Sequence, residues 1–320
     1  MSAAKQKIRV GISSCLLGEN VRWDGGHKLD SCITTALGPF FEWVPTCPEL
    51  EAGLGVPREP MHLARQGNTV RVMGRESNRD WTPVLERYNR TRLNELARLD
   101  LCGYIFKKNS PSCGLKGVTL YTDRGTAAGG KGTGLFAAAL GERFSGIPAE
   151  EEDRLNDPAV REHFIVRVFA FHRLRRLFRS GYSRGALVAF HTASKFLLLA
   201  HSRKHYTELG RLVAGAAAHR PAGLRDRYTR IYLEGLARRS TPKKNADVLL
   251  HMMGFLKRLL GPDDKREILT AIEDYRRERV PLAVPLTLVR RYVRRFDIQY
   301  LAGQLYLNPH SNKLSPGNPV

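Results

Sequence analysis

Three cysteines stand where short apolar runs break into turns: Cys15 in RVGISSCLLG, Cys47 in FEWVPTCPEL and Cys113 in KKNSPSCGLK. They are far apart in sequence and none belongs to a CxxC pair. Three thiolates gathered by a fold fall one short of the four-sulfur shell of a structural zinc site or an ordinary electron-transfer cluster. A cubane iron–sulfur cluster held by only three of them keeps one iron open to substrate. The other two cysteines have a different setting. Cys102 lies inside the apolar run LCGYIF and Cys32 in KLDSCITTAL, and both are expected to pack rather than ligate.

The elements that must position these thiols are short. Residues 8–15, 40–47 and 101–108 read as strands rich in β-formers and ended by polar, Gly or Pro residues, and GVTLYTD at 117–123 is a fourth candidate. Helices are expected over Lys28–Gly38 and over Trp81–Leu99, where Leu85, Leu93 and Leu96 recur among charges. Strands alternating with helices imply an α/β, Rossmann-like, mainly parallel sheet. Cys15 and Cys47 then fall at the C-terminal ends of their strands, with Cys113 one loop beyond the third. Ligands of open α/β sheets gather at that edge.

After a Pro-punctuated acidic stretch at 146–158, read as a linker, the character changes. Segments over 164–178, 186–201, 206–218, 224–238, 245–260, 265–279 and 286–296 carry apolar residues at three- and four-residue spacing, with Pro221, Pro242, Pro262 and Pro281 between them. The expected organisation is an α/β domain over 1–148 followed by an all-α domain over 160–320. The 320-residue chain has a formal net charge of +21, and the excess is lopsided. Lys and Arg number 20 against 15 Asp and Glu in residues 1–150, but 32 against 16 in 151–320. A polyanionic partner for the helical half follows from that asymmetry, since a uniform compositional bias would load both halves. There is no secretory h-region, no membrane-length apolar run and an odd cysteine count, so a reducing, cytoplasmic setting without a membrane partner is expected.

SSCLLGENVRWDGG, TCPELEAGLGVPREP and KKNSPSCG together resemble the three signature segments of the thiouracil desulfidase family, over roughly residues 7–145. The later ASKFLLLAHSRKHYTELGRLVA, NADVLLHMMGFLKRLL and QLYLNPH resemble the helical YbgA-type domain. Fusions of these two parts are similar to bacterial desulfidases that act on thiouridine in tRNA. The resemblance implies a [4Fe–4S] cluster held by Cys15, Cys47 and Cys113, whose open iron captures the thiocarbonyl sulfur of 4-thiouridine while water replaces it, giving uridine. Two other readings stand beside it. One is the same chemistry on free 4-thiouracil or 4-thiouridine monophosphate. The other is a non-catalytic iron–sulfur protein that binds RNA or senses redox state.

Within that frame Glu49, held beside Cys47 by Pro48, is the candidate to position or deprotonate the attacking water, with Glu51 second. On residues alone Glu49 is equally a surface glutamate beside a turn. Ser110 is the candidate active-site hydroxyl and Ser112 its alternative, although both could serve as turn caps. Asn20, Arg22 and Asp24 are candidates for the base edge or ribose, and Trp23 offers a stacking face. Arg58 is an anion or cluster neighbour. GGKGTG at 129–134 lacks Walker spacing and reads as a flexible loop. In the helical half Lys195, Arg203, Lys204, Arg290 and Arg294 are the candidate RNA contacts, with a further arginine group at 173–179 and Tyr182, Tyr206 and Tyr292 as stacking partners. His191, His201 and His251 are expected to pack, not to bind metal.

Overall fold

A computed structural model describes residues 7–67, 69–122, 126–179 and 181–310, and it divides into two compact units, Met1–Val168 and Phe169–Val320. The first unit is built on two sheets. Strands β1 (Ile8–Ser13), β2 (Phe41–Thr46), β3 (Met61–Gln66), β4 (Thr69–Gly74), β5 (Tyr104–Phe106), β6 (Val118–Tyr121), β7 (Ala127–Gly132) and β8 (Ala149–Glu151) alternate with helices α1 (Pro48–Glu51), α2 (Thr82–Arg98) and α3 (Leu135–Arg143). Among the described residues one sheet has the order β2-β1-β5-β8 and every pairing in it is parallel. The chain leaves β1 for β2 on one side and returns to β5 on the other. The carboxyl ends of β1 and β5 therefore flank a topological switch point.

The expected α/β class with a parallel sheet is what forms, but GVTLYTD does not join it. Its described residues form β6 in a second sheet, order β4-β3-β6-β7, where β3 pairs antiparallel with β4 and β6 antiparallel with β7. Asp123, the last residue of the expected strand, lies outside the described residues. Met61, Leu63, Val72, Val118 and Leu120 of this sheet share a core with Leu85 of α2. Around β5 a second core stacks Tyr104 on Phe106 at 4.2 Å between centroids, with Phe136 of α3 5.7 Å from Tyr104.

Two expectations fail for local reasons. The helix expected from Lys28 is present only as a short helical stretch, wide π-type turns running from Ile33 to Leu37. Residues 28–30 are not helical, because the Lys28 and Asp30 amides donate to the carbonyls of Cys15 and Leu16 at 2.8 and 3.0 Å. The stretch at 146–158 is not a linker. It supplies β8 and a 3-10 turn over Glu152–Asn156, and Glu151 and Glu152 are buried because their carboxylates have partners inside the unit.

Helix α4 (Pro158–Arg179) carries the chain into the second unit, which contains α5 (Arg184–Ala193), α6 (Lys195–His201), α7 (Arg203–Ala214), α8 (Pro221–Ala237), α9 (Pro242–Leu256), α10 (Pro262–Arg276), α11 (Ala283–Arg295) and α12 (Gln299–Ala302). Pro221, Pro242 and Pro262 open their helices, where a missing N–H costs nothing. Ser183, Ser202 and Thr241 cap α5, α7 and α9 by accepting a backbone N–H. The expected single helix over 186–201 breaks at the buried Ser194, between α5 and α6. Asn245 bridges the buried interior, donating to Tyr275 Oη at 2.9 Å and accepting from Tyr306 Oη at 3.0 Å. Among the described residues no helix is long and apolar enough to cross a membrane.

Candidate active site

A cavity of about 450 Å³ opens at the carboxyl edge of the parallel sheet, and Cys15, Cys47 and Cys113 all line it. Each thiol is set by a different local device. Cys15 sits in the 3-10 turn Ser14–Leu17 that ends β1, closed by Gly18 at φ 92°. Cys47 follows β2 as the residue that opens α1, and its amide donates to Glu51 Oε1 at 2.7 Å. Glu51 is tied in turn to α2, accepting from Tyr88 Oη at 2.5 Å. Its carboxylate is thereby committed to holding the Cys47 turn.

Cys113 depends on a cradle of backbone contacts. Ser110 Oγ accepts from the amides of Ser112 and Cys113 at 3.2 and 3.0 Å. The amides of Leu135 and Phe136, at the start of α3, donate to the Pro111 and Ser112 carbonyls. This approach requires Gly134, since a Cβ there would stand 2.5 Å from Ser112 O and 2.9 Å from Cys113 N. The far side of the loop is held by buried Glu151, whose Oε1 accepts from the Leu115 and Lys116 amides at 2.9 and 3.2 Å. The glycine run at 129–134 is thus an edge strand and a helix entry that serve the third cysteine.

Burial dominates the acidity of the thiols. Cys15 is pushed up to about 11 by desolvation and then by Cys47. Cys47 is raised by burial and then by Glu49, after a smaller opposing hydrogen bond from the Leu50 amide. Cys113 is raised well above the ordinary range by burial, with Cys47 and Cys15 adding to it. Each thiol is thus within electrostatic reach of the others. Cys32 and Cys102 stand apart from the cavity, Cys32 accepting from Arg161 Nη1 at 3.1 Å and Cys102 in the core, 1% exposed.

Glu49 points a fully partnered carboxylate into the same cavity. Arg58 binds Oε2 through Nη2 at 2.6 Å and Nε at 3.1 Å, and Ser112 Oγ donates to Oε1 at 3.0 Å. Ser110 Oγ is farther from Oε1, at 3.5 Å. Both members of the Glu49–Arg58 pair are largely buried, with side chains 13% and 6% exposed. Arg22 and the exposed Trp23 reach the cavity wall, and Arg22 Nε pairs with Asp24 Oδ1 at 3.4 Å. Asn20 and Asp24 lie outside that wall. Asn20 is exposed, and Asp24 accepts from the Gly26 amide at 3.1 Å within its own turn.

Four cavity cations went unremarked in the sequence: Lys28, Arg75, Lys107 and Lys108. The adjacent lysines of KKNSPSC were the available signal. Lys107 pairs with buried Glu152, which also accepts from the Lys108 amide at 2.7 Å. Only the three-dimensional partner, 45 residues away, distinguishes this pair from a solvated charge run.

Residues 10–152 match the family model described as 2-thiouracil desulfurase, and residues 195–311 match the one described as protein of unknown function DUF1722. The uncharacterized Bacillus subtilis protein YbbK is 30% identical over 154 residues, covering 46% of this chain and 97% of YbbK. The chain belongs to the 2-thiouracil desulfurase family. Its helical region belongs with the Escherichia coli protein YbgA, also uncharacterized, which is 32% identical over 145 residues, 44% of this chain and 85% of YbgA. A solved structure titled [4Fe-4S]-dependent thiouracil desulfidase TudS is 34% identical, covering 49% of this chain and 98% of its own, with a TM-score of 0.38.

In the second unit the candidate RNA contacts divide. Arg203, Lys204 and Arg294 are exposed and Lys195 is half-buried, with its Nζ 5.2 Å from the Phe196 ring centroid. Arg290 Nε donates to the Leu307 carbonyl at 2.5 Å, a tie between α11 and the segment after α12. Two expected surface residues are interior. Arg173 is 1% exposed and donates to the Asn308 and Pro309 carbonyls, and Tyr292 is 1% exposed with its hydroxyl on Asp264. Their helices turn those positions inward. His191 and His201 pack as expected, bonded to Tyr228 Oη and the Arg238 carbonyl.

Proposed function

We propose that the first unit is an iron–sulfur-dependent desulfidase that replaces the 4-thio sulfur of a thiouracil unit with oxygen, and that 4-thiouridine in tRNA is its substrate. The observation that carries this reading is one cavity lined by three thiols, Cys15 and Cys113 buried and Cys47 half-buried, and by a carboxylate held in a single orientation.

The donor set fits a soft polynuclear metal group. All three candidate ligands are sulfur, the type such clusters need. Among the described residues no three His, Cys, Asp or Glu side chains close on a single metal ion. Thiolates that each bind a separate iron surround a cluster rather than converge on a point. Because burial keeps the thiols protonated, loading would release protons. When bound, the cluster supplies a Lewis-acidic iron with affinity for a thione sulfur.

The chain's own residues account for the rest. The overall change is C=S plus water to C=O plus hydrogen sulfide, without net electron transfer. Glu49 accepts a proton from the incoming water, with Arg58 fixing one carboxylate oxygen and Ser112 the other. Ser110 holds the loop that presents Cys113, and its hydroxyl is a third, more distant donor to Glu49, at 3.5 Å from Oε1. Arg22 and Trp23 at the cavity wall bind the base and its sugar. Two-to-one basic excess in residues 151–320 supports a nucleic acid as the carrier of the base, and the free thiols suit a reducing cytoplasm.

A monomeric substrate is the second reading, favoured by the confinement of every cavity residue to the first unit. Anaerobic reconstitution with iron and sulfide, followed by nucleoside analysis of treated tRNA beside 4-thiouridine monophosphate, decides between them. Sulfide release and uridine from tRNA are expected. Faster turnover of the monomer would replace the tRNA reading, and binding without turnover of either would leave a sensor.

A further inference from the structure

The second unit carries a ring stack that its fold does not consume. His251 and Phe255, one turn apart on α9, lie nearly parallel at 14° with centroids 6.2 Å apart. Tyr300 of α12 continues the stack beyond Phe255 at 5.2 Å and 27°. Beneath all three, the fully buried Phe196 of α6 is edge-on, at 5.3, 6.5 and 6.4 Å. Phe255 and Tyr300 nevertheless remain 40% and 36% exposed, and His251 is exposed as well. Leaving two large rings in water forfeits burial, so a ladder braced from below and open above is arranged for an outside partner.

Cations adjoin the stack. Lys195 Nζ lies over Phe196, and Lys195 and Arg203 are the charges that, after burial, hold His251 below its ordinary range. Lys257 and Arg258 follow Phe255 in sequence and are exposed, while Asp247 is the one acid a turn before His251. The centre of a protein–protein contact is depleted of charge. Parallel π-faces interleaved with cations instead match the groove that takes unpaired nucleotides, where bases stack and phosphates meet Lys and Arg.

We infer that His251, Phe255 and Tyr300 form a stacking platform for an unpaired base of RNA, with Lys195 and Arg203 as its phosphate contacts. This rests on the reading of thiolated RNA as substrate and adds where, on the second unit, that RNA is gripped. A loop or end, not a duplex, is the feature recognised.

The test uses the full chain and an oligouridine bearing one 2-aminopurine, whose fluorescence is quenched by stacking. Wild type is expected to quench it. Phe255→Leu combined with Tyr300→Leu keeps apolar volume but removes the rings, and is expected to lose the quench and bind at least about fivefold more weakly with an unchanged salt slope. Phe255→Trp retains a ring and retains the quench. Lys195→Ala with Arg203→Ala keeps the quench at saturation and lowers the salt slope by about 1.4, roughly 0.7 for each phosphate contact on a single strand. Thermal melts identify any variant that is misfolded, and Phe255→Trp then carries the comparison. Quenching by the double leucine variant equal to wild type would overturn the platform. So would a wild-type dimer that this variant dissociates, which would make the patch an interface between copies. Binding is read without turnover, so failure of the desulfidase chemistry shows in the nucleoside analysis and not here.

Discussion

The two units handle charge in opposite ways. In the first, charged groups are drawn inward and paired around one cavity: Glu49 with Arg58, Glu152 with Lys107, and Glu151 with the backbone amides behind Cys113. In the second, most cations stay on helix faces in water, and the interior Arg173 donates to the Asn308 and Pro309 carbonyls. Buried pairs fix positions because each partner would be costly to leave alone. Exposed arginines fix little, but their sum attracts a polyanion over long distances. One half is organised to hold atoms still, the other to collect a large partner.

The sharpest break in that comparison comes from the thiols. Alanine at Cys15, Cys47 or Cys113 should abolish iron and sulfide uptake in anaerobic reconstitution, while Cys32→Ala and Cys102→Ala retain it, as read by metal content and visible absorbance. Next in size, Glu49→Gln should lower sulfide release by about 10²–10⁴-fold with cluster content unchanged. Equal turnover by that variant would reduce Glu49 to a brace for Arg58.

Packing around the third cysteine offers a third test. Gly134→Ala should cost about 1–3 kcal/mol, because its Cβ meets backbone that cannot give way. Gly223→Ala, on α8 with nothing within 4 Å of its Cβ, should be neutral or stabilising by up to about 1 kcal/mol. Similar thermal shifts for the two would erase the distinction between a tightly constrained first unit and a tolerant second.

A further effect, similar in size to that of Gly134→Ala, is expected in acid. Burial pushes His191 down to about 4, from 6.5 unfolded. Its contribution is complete above pH 6.5 and declines as pH falls toward 4, where the unfolded chain binds a proton that the folded chain refuses. The loss over that window is about 2–3 kcal/mol. Thermal midpoints measured across it should fall for wild type and flatten for His191→Gln.

Legibility in the sequence followed the physics of each element. Helices of the second unit were readable because one face of each packs on a shared core, which imprints a 3.6-residue period, and prolines mark their starts. The β3–β4 hairpin was missed because MHLARQ and TVRVMG interrupt their six-residue strands with polar and charged residues, unlike the apolar run of β1. Residues 146–158 were misread because consecutive glutamates resemble a solvated tether; only amides and a lysine supplied from elsewhere make their burial affordable.

The amino-acid order alone determined that three thiols end three apolar runs, that the fold alternates strand and helix before turning all-helical, and that positive charge collects in the second half. Those are properties of spacing and composition, and they survive without coordinates. Tertiary structure alone decided that Glu51 braces Cys47 while Glu49 faces the cavity, that Gly134 admits α3 to the Cys113 loop, and that Arg173 lies inside while Phe255 and Tyr300 lie outside. Identical side chains take opposite roles there because burial and partnership depend on what the folded chain brings alongside them.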